Sequence, residues 1–353
     1  MSLTKIKIKR NDSSILFVLF STLLLLSVVM ISCKEERRIK LKEIHSDKKL
    51  VNLTLVRFEK EILSLQRMSP AALDSFNHYH QNFFELYNNQ LLGIGSYASP
   101  GYVERVSGFI NDKIISTVIS SVDSVYGDFK QIDELTELFT AYHSYFPKRI
   151  VPKIYTYVSG FNYAIAPTDS VLGIGLDYFL GNTRNYYSLL QLPEYQKRKL
   201  FPEFVSNVAF QQWIRTDFET DSVYKDLLSQ MIYEGKVMFT TDQCMPIQND
   251  TLLFGFTSKQ YEWCKQSESA IWRFIIDKKL LYLKNKTDYN RYISDGPFTP
   301  GMPRESPARA FCWIGFKIVE SYMKNHPKTS LEQLMKINNA QYILTNSKYK
   351  PTK

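Results

Sequence analysis

The sequence has few of the side chains that hold metal ions or form covalent catalytic intermediates. Its 353 residues include only five histidines and four cysteines. It contains no His-Glu-x-x-His pair, no Gly-x-Ser-x-Gly elbow and no phosphate-binding loop. His78 and His80 lie in a helical pattern over residues 70–87, and side chains two positions apart on a helix diverge. We therefore expect neither a metal ion nor a cofactor.

The cysteines give no metal-binding or disulfide framework. Cys244, Cys264 and Cys312 have spacings that match no metal knuckle. One disulfide with one free thiol and three buried thiols both fit these spacings, and the sequence does not decide between them.

The N-terminus has the pattern of a bacterial lipoprotein signal peptide. A basic segment up to Arg10 precedes an apolar run over residues 15–31, which ends at Ser32-Cys33 and is followed at once by charged residues 34–38. In this pattern the thiol of Cys33 carries the lipid. The alternative is a plain membrane-spanning anchor, because about 17 apolar residues lie near the lower limit for crossing a bilayer. We predict a lipoprotein signal peptide over residues 1–32.

The rest of the chain divides into a tether and one folded domain. Residues 33–49 are charged and lack a period, which predicts a lipidated N-terminus and tether. Residues 50–353 predict a single globular domain, since 44% of the sequence is hydrophobic and 14% is aromatic. Lipid chains such as palmitate on Cys33 would anchor it to the membrane.

The net charge does not indicate nucleic-acid binding. Residues 1–32 carry four Lys or Arg and one Asp, so their removal lowers the charge from +9 to +6. The remaining basic residues lie in short mixed runs, such as Lys197-Arg198-Lys199, and no recognition motif accompanies them.

The fold class follows from a stretch between Lys153 and Gly181. Two β-type runs, Ile154–Val158 and Val171–Leu176, flank a turn-prone segment at Ala166–Asp169. Leu53–Phe58 alternates apolar and polar residues and predicts an edge strand, whereas most other segments have a helical period. We predict an α+β fold that is predominantly α-helical around a small antiparallel sheet.

Two helices after the sheet bear on catalysis. Zinc proteases place paired histidines on such a helix, but the helix predicted over residues 203–218 contains none. In the next helix, residues 222–241, the Glu234-Gly235 pair resembles the segment that supplies a carboxylate ligand in those enzymes. The pattern is compatible with an inactive metalloprotease-like scaffold. Asp177 and Glu234 are the candidate residues of a cleft, although capping and surface roles are commoner for single carboxylates.

Two aromatic loops, over residues 178–187 and 297–307, are candidate contact surfaces. Aromatic and Arg side chains dominate the energetics of protein interfaces. The candidate partner-binding residues are Tyr178, Phe179, Tyr186, Tyr187, Phe298 and Arg304.

Several segments, in this order, resemble the gliding-motility lipoprotein GldB family of the Bacteroidetes. Besides the leader and Cys33 they are Tyr157-Val158-Ser159-Gly160-Phe161, Gly173–Gly181, Met231–Lys236, Trp313–Val319 and Ser347–Pro351. That family is distantly similar to predicted zinc peptidases, and it has no established catalytic residues to transfer.

The resemblance implies a non-enzymatic lipoprotein of the cell envelope that gliding motility requires and that type 9 secretion uses. Its expected partners are other gliding-motility or type 9 secretion envelope proteins, with the membrane bound through the lipid on Cys33 and no nucleic acid. We expect it to face the periplasm; the cell surface is the alternative, because Cys33–Glu36 resembles a surface-export signal. The alternative function is an envelope hydrolase that uses Glu234 and Asp177.

Overall fold

The computed structural model describes residues 40–41, 50–80, 82–182, 185–219 and 225–352. The predicted signal peptide, the lipidated Cys33 and most of the tether lie outside the described residues. The described residues from Leu41 onward form one compact unit. Within the described ranges, no helix combines the length and the apolar character that crossing a membrane requires.

Four strands form one mixed sheet. They are β1 (Leu55–Arg57), β2 (Lys153–Tyr157), β3 (Ile165–Pro167) and β4 (Val171–Gly175), in the spatial order β1-β2-β4-β3. β2 runs parallel to both β1 and β4, and only β3 and β4 are antiparallel. The predicted α+β class and the predicted edge strand are therefore confirmed, whereas the prediction of a purely antiparallel sheet is wrong.

The error arises from a third strand inside the predicted turn. Ile165–Pro167 carries the chain back along β4, and the tight turn lies just after it, where the Thr168 hydroxyl accepts hydrogen bonds from the N–H groups of Ser170 and Val171. The segment between β2 and β4 is thereby long enough for the crossover that a parallel pair needs.

The two faces of the sheet contact different helices. Tyr155 and Tyr157 point into an aromatic cluster with Phe58 and Phe83, from the N-terminal part of the chain. Ile154 alternates with them and points into the larger core. A sheet covered on both faces is typical of parallel pairing.

The N-terminal helices pack around the first cluster and along the sheet. They are α1 (Phe58–Glu61), α2 (Pro70–His80), α3 (Asn82–Leu86), α4 (Tyr102–Asn111), α5 (Lys113–Tyr126) and α6 (Gln131–Tyr145), with a 3-10 segment at Ile62–Arg67 and a π-turn at Tyr87–Leu91. α4 and α5 are separate because Asp112 has an extended ψ and its carboxylate caps the N–H groups of Ile114 and Ile115.

The C-terminal helices build the larger core. They are α7 (Tyr186–Leu189), α8 (Glu194–Lys197), α9 (Val205–Asp217), α10 (Leu227–Cys244), α11 (Asp250–Phe254), α12 (Ser258–Asp277), α13 (Lys286–Ile293), α14 (Ala310–Asn325), α15 (Leu331–Lys336) and α16 (Ala340–Ser347). Short 3-10 segments lie at Leu176–Phe179, Pro202–Phe204 and Leu280–Tyr282.

Helix α10 is the centre of this core, and every one of its residues is buried. It packs closely against α14 because glycines meet at the crossing. A Cβ on Gly315 would lie 1.9 Å from the carbonyl oxygen of Met231, and one on Gly235 would lie 2.4 Å from the carbonyl of Gly315. A helix buried on all sides has no solvent for its polar residues, so Glu234 and Lys236 must find partners inside the protein.

Candidate functional site

A cavity of about 410 Å³ lies between the edge strand β3, helix α9 and the segments around α8 and α11. Sites for small ligands commonly measure roughly 300–1,000 Å³. One part of its wall is apolar and the other polar. The apolar part includes Ile165, Tyr178, Leu192, Leu200, Phe204, Val208 and Phe254, and the polar part includes Gln196, Lys199, Asn207, Gln211, Gln212, Arg215, Asp295 and Arg309.

Two arginines of the cavity wall hold one buried carboxylate. Nε and Nη2 of Arg215 donate to Oε1 and Oε2 of Glu234 at 3.1 and 2.9 Å, and Nη2 of Arg309 donates to Oε2 at 2.8 Å. Burial alone would raise the pKa of Glu234, but the two guanidinium charges outweigh it and lower this pKa to about 2. Glu234 is therefore ionised at neutral pH.

Arg309 owes its position to an uncommon backbone conformation. It has φ +63° directly before α14, a left-handed conformation that costs roughly 1–2 kcal/mol for a residue other than glycine. Its Nε donates to the carbonyl of Ile293, and its Nη2 donates to Glu234. These two contacts hold the guanidinium at the cavity and offset the backbone cost.

The Pro-rich loop before α14 fixes this conformation. Thr299 is fully buried, and its hydroxyl donates to the carbonyl of Pro307 and accepts from the N–H of Ala310. Its own N–H donates to the hydroxyl of Ser306 at 3.2 Å. The loop is thus tied to the first turn of α14, one residue from Arg309.

A second ion pair lies on the same cavity wall. Nζ of Lys199 donates to Oδ1 of Asp295 at 2.6 Å. Burial lowers the pKa of Lys199, and it would raise that of Asp295, but the charge of Lys199 reverses the effect and lowers the pKa of Asp295. The pair is close to charge-neutral.

The other candidate carboxylate, Asp177, has a different environment. It follows β4, and its Oδ2 accepts hydrogen bonds from the N–H groups of Ser159 and Phe161 at 3.0 and 2.7 Å. Its Oδ1 is buried and has no hydrogen-bond partner in the described part of the chain. Burial raises the pKa of Asp177 to about 6, although the main-chain hydrogen bonds oppose that rise.

The structure does not bring the two candidate cleft residues together in one constellation. Asp177 has main-chain partners in the loop after β2, whereas Glu234 has two arginines, and the two sets share no residue. Asp177 is fully buried and does not line the cavity. Across the described ranges, no three His, Cys, Asp or Glu side chains are close enough to hold a metal ion.

The candidate contact residues fall into two groups. Phe179, Tyr186 and Tyr187 are buried at 2, 7 and 4% exposure, and the hydroxyl of Tyr187 accepts a hydrogen bond from the N–H of Leu180. Tyr186 and Tyr187 are thereby withdrawn from the outer surface, whereas Phe179 contributes to the cavity wall. Three of the candidate partner-binding side chains stay partly or fully accessible on the surface, namely Tyr178, Phe298 and Arg304.

The three cysteines of the described chain are all buried, and no disulfide joins them. Cys312 lies in α14 behind the cavity, where burial raises its thiol pKa to about 11. A thiol with a raised pKa is a poor nucleophile.

Sequence reasoning identified Glu234 but missed the cations around it. Arg215 and Arg309 are 19 and 75 positions away in the chain, so no local spacing connects them. A carboxylate in a helix that is buried on all sides needs counter-ions. The polar residues of α10 hide this burial in the sequence, so only the folded structure shows that Glu234 requires cations.

The comparison with known families covers most of these elements. The sequence model of the family described as gliding motility protein GldB matches residues 38–351, which include the sheet, the cavity and helices α1–α16. No curated protein and no solved structure matches the chain. As the order of its short motifs predicted, the chain belongs to the gliding motility protein GldB family.

Proposed function

We propose that the protein serves gliding motility as a non-enzymatic, lipid-anchored component of the cell envelope, and that it binds other proteins of the gliding and type 9 secretion machinery. The family assigns it a motility role and membrane anchoring as a lipoprotein. The binding role, the secretion link and the absence of catalysis are the parts that we add.

The observation that best supports this proposal is that Glu234 stays ionised. A general acid or base works best with a pKa near the working pH, whereas two arginines keep Glu234 ionised down to about pH 2. Such a carboxylate positions the two guanidinium groups of Arg215 and Arg309 at the cavity. A cavity with fixed cations and an apolar wall is suited to holding a ligand.

The envelope position is proposed from the leader and Cys33. The lipid would hold the protein on the membrane, with the folded domain facing the periplasm and the cell surface as the alternative. Cys33→Ser should release the protein from the membrane fraction and abolish lipid labelling. Retained label would contradict this assignment.

A complementation experiment tests the proposal. In a gliding host that lacks the native gene, we expect Tyr178→Ala with Phe298→Ala and Arg304→Ala to reduce gliding and type 9 secretion at normal protein levels. Replacement of the exposed Lys265 and Arg273 on α12 serves as the matched surface control. Intact gliding and secretion in the triple variant would contradict binding through these loops.

The alternative, an envelope hydrolase, has one observation in its favour. The pKa of Asp177, at about 6, lies in the range of a general acid. Asp177 is fully buried and its side chain does not line the cavity, which speaks against contact with a substrate. Asp177→Asn separates the two functions: we expect it to preserve gliding, and loss of gliding with an unchanged fold would favour the hydrolase.

A further inference from the structure

The cavity retains an unbalanced positive charge. Arg215 and Arg309 share a single carboxylate, and both donate to the same oxygen, Oε2 of Glu234. Lys199 and Asp295 balance each other at 2.6 Å. One cationic charge is therefore left over at the arginine pair, in a place where burial strengthens electrostatic attraction.

The guanidinium group of Arg215 also has donors to spare. Arg215 uses Nε and Nη2 for Glu234 and for Oε1 of Gln211, and Arg309 uses Nε and Nη2 for Ile293 and Glu234. Arg309 also makes a side-chain hydrogen bond with Cys312, and among the described residues Nη1 of Arg215 has no hydrogen-bond partner. The two arginines line the cavity, so the free N–H groups of Arg215 are available to an anion, and paired N–H donors suit a carboxylate.

Another part of the cavity wall belongs to an edge strand. Ala164 accepts a hydrogen bond from the N–H of Gly175, and Thr168 donates to Val171. Hydrogen bonding alternates along an antiparallel pair, so the N–H and C=O of Ile165 point away from β4. β3 is the edge of the sheet and Ile165 lines the cavity.

We propose that the cavity binds an extended peptide segment, which pairs its main chain with the free edge at Ile165 and places a carboxylate against Arg215 and Arg309. Addition of a strand to an exposed edge is a common mode of peptide recognition. The aromatic and aliphatic part of the wall, including Phe204 and Phe254, takes an apolar side chain beside the carboxylate. This inference rests on the proposed function, because the segment would belong to a partner protein.

Peptide binding to the detergent-solubilised full-length protein tests the charge recognition. The probes are acetyl-Ala-Ala-Phe with a free carboxylate, its C-terminal amide, and acetyl-Ala-Asp-Phe amide, all measured by calorimetry. We expect the amide of the first peptide to bind at least about tenfold more weakly than the acid. Binding of the third peptide at the strength of the first assigns the carboxylate to a side chain, and weak binding assigns it to a chain terminus. Equal binding of the acid and its amide, or binding no tighter than that of acetate, overturns the proposal.

One substitution in the cavity wall, Gln212→Glu, locates the site without changing the Arg215–Glu234 ion pair. Gln212→Glu adds a negative charge to the cavity wall, and Gln266→Glu makes the same change on the exposed face of α12. We expect only Gln212→Glu to weaken binding of the acid, by about tenfold. Arg215→Gln should weaken it similarly, with the exposed Arg273→Gln as its control. Unchanged binding in both cavity variants overturns the location.

The strand edge has its own test. Ile165→Pro removes the N–H that points away from β4, and edge strands tolerate proline at such positions. Ile165→Val keeps that N–H with a similar side chain. We expect the proline variant to bind acetyl-Ala-Ala-Phe several-fold more weakly than the valine variant at an unchanged melting temperature. Equal affinities would overturn the pairing of main chains.

The outcomes separate this inference from the proposed function. If peptides fail to bind while cavity variants still abolish gliding, the peptide assignment is wrong and the motility role stands. If peptides bind through Arg215 but Arg215→Gln and Gln212→Glu leave gliding and secretion intact, the peptide site stands and its proposed use in motility is wrong.

Discussion

The surroundings of Asp177 and Glu234 show how two buried carboxylates acquire pKa shifts of opposite sign. Asp177 lies beside the sheet, where its carboxylate accepts hydrogen bonds from the main-chain N–H groups of Ser159 and Phe161, and its pKa rises to about 6. Glu234 lies in the central helix and has two arginines, and its pKa falls to about 2. Burial favours the neutral form in both places. Full counter-charges, and not neutral hydrogen bonds, lower the pKa of a buried carboxylate below its ordinary value.

Of the substitutions that test this comparison, removal of one arginine should change the free energy of unfolding the most. Arg309→Leu leaves Glu234 with one counter-ion and leaves its second oxygen less well paired, so we expect the free energy of unfolding to fall by about 3–5 kcal/mol. Urea denaturation at neutral pH measures the change, with Arg273→Leu on the exposed face of α12 as control. A loss below 1 kcal/mol would mean that Arg215 alone suffices.

For Asp177 the same comparison predicts that removal of the charge stabilises the folded protein. The folded-state pKa lies above the unfolded value of 3.8, so the folded protein binds more protons between about pH 3.8 and 6, and stability falls as the pH rises through that window. Asp177→Asn does not titrate. We expect it to raise the free energy of unfolding at pH 7 by about 2–3 kcal/mol.

Denaturation of Asp177→Asn and the unchanged protein across pH provides the check. The advantage of the variant should shrink towards pH 4 and disappear below it. A constant difference at all pH values would show that shape, not charge, accounts for the change.

The loop that carries Arg309 offers a smaller test. Thr299→Val removes the buried hydroxyl that joins Pro307 to Ala310, and we expect a loss of about 1–2 kcal/mol in urea denaturation. Thr299→Ser keeps the hydroxyl and should recover most of that loss. If serine and valine destabilise the protein equally, the lost methyl packing is responsible instead.

Lys236 is a buried cation, and its titration should change the stability of the protein the least among these tests. Its Nζ donates to the carbonyls of Met335 and Ile337, and burial lowers its pKa to about 8. The unfolded chain therefore binds more protons above about pH 8, so stability should rise with pH, by about 1 kcal/mol up to about pH 9. Lys236→Met should flatten that rise in denaturation curves measured against pH.

The sequence predicted elements whose signals are local. Leu53–Phe58 and the two runs around Ala166–Asp169 are strands because their β-type residues are contiguous, and the helices follow their apolar period. Strand β3 was not predicted, because a strand of three residues that ends in Pro167 is too short to show a periodic pattern of apolar residues. Parallel pairing also depends on long-range contacts, which no single segment encodes.

The candidate site was predictable only in part for the same reason. Glu234 drew attention through the resemblance of its segment to that of an enzyme family, whereas its partners Arg215 and Arg309 come from distant parts of the chain. The left-handed conformation of Arg309 depends on Thr299 and on the loop before α14. The chemistry of the cavity therefore emerges only when the helices are assembled.

Because Gly235 of α10 packs against Gly315 of α14, the fold can be completed only after the C-terminal part of the chain has been made. During synthesis α10 leaves the ribosome well before α14, and until α14 arrives the glycine face of α10 has nothing to pack against. Contacts between distant segments slow folding, because a long loop must close first. The N-terminal aromatic cluster uses earlier residues but also takes Tyr155 and Tyr157 from the sheet, whose other face is covered by the late helices. The core around α10 therefore cannot be completed before α14 has been synthesised.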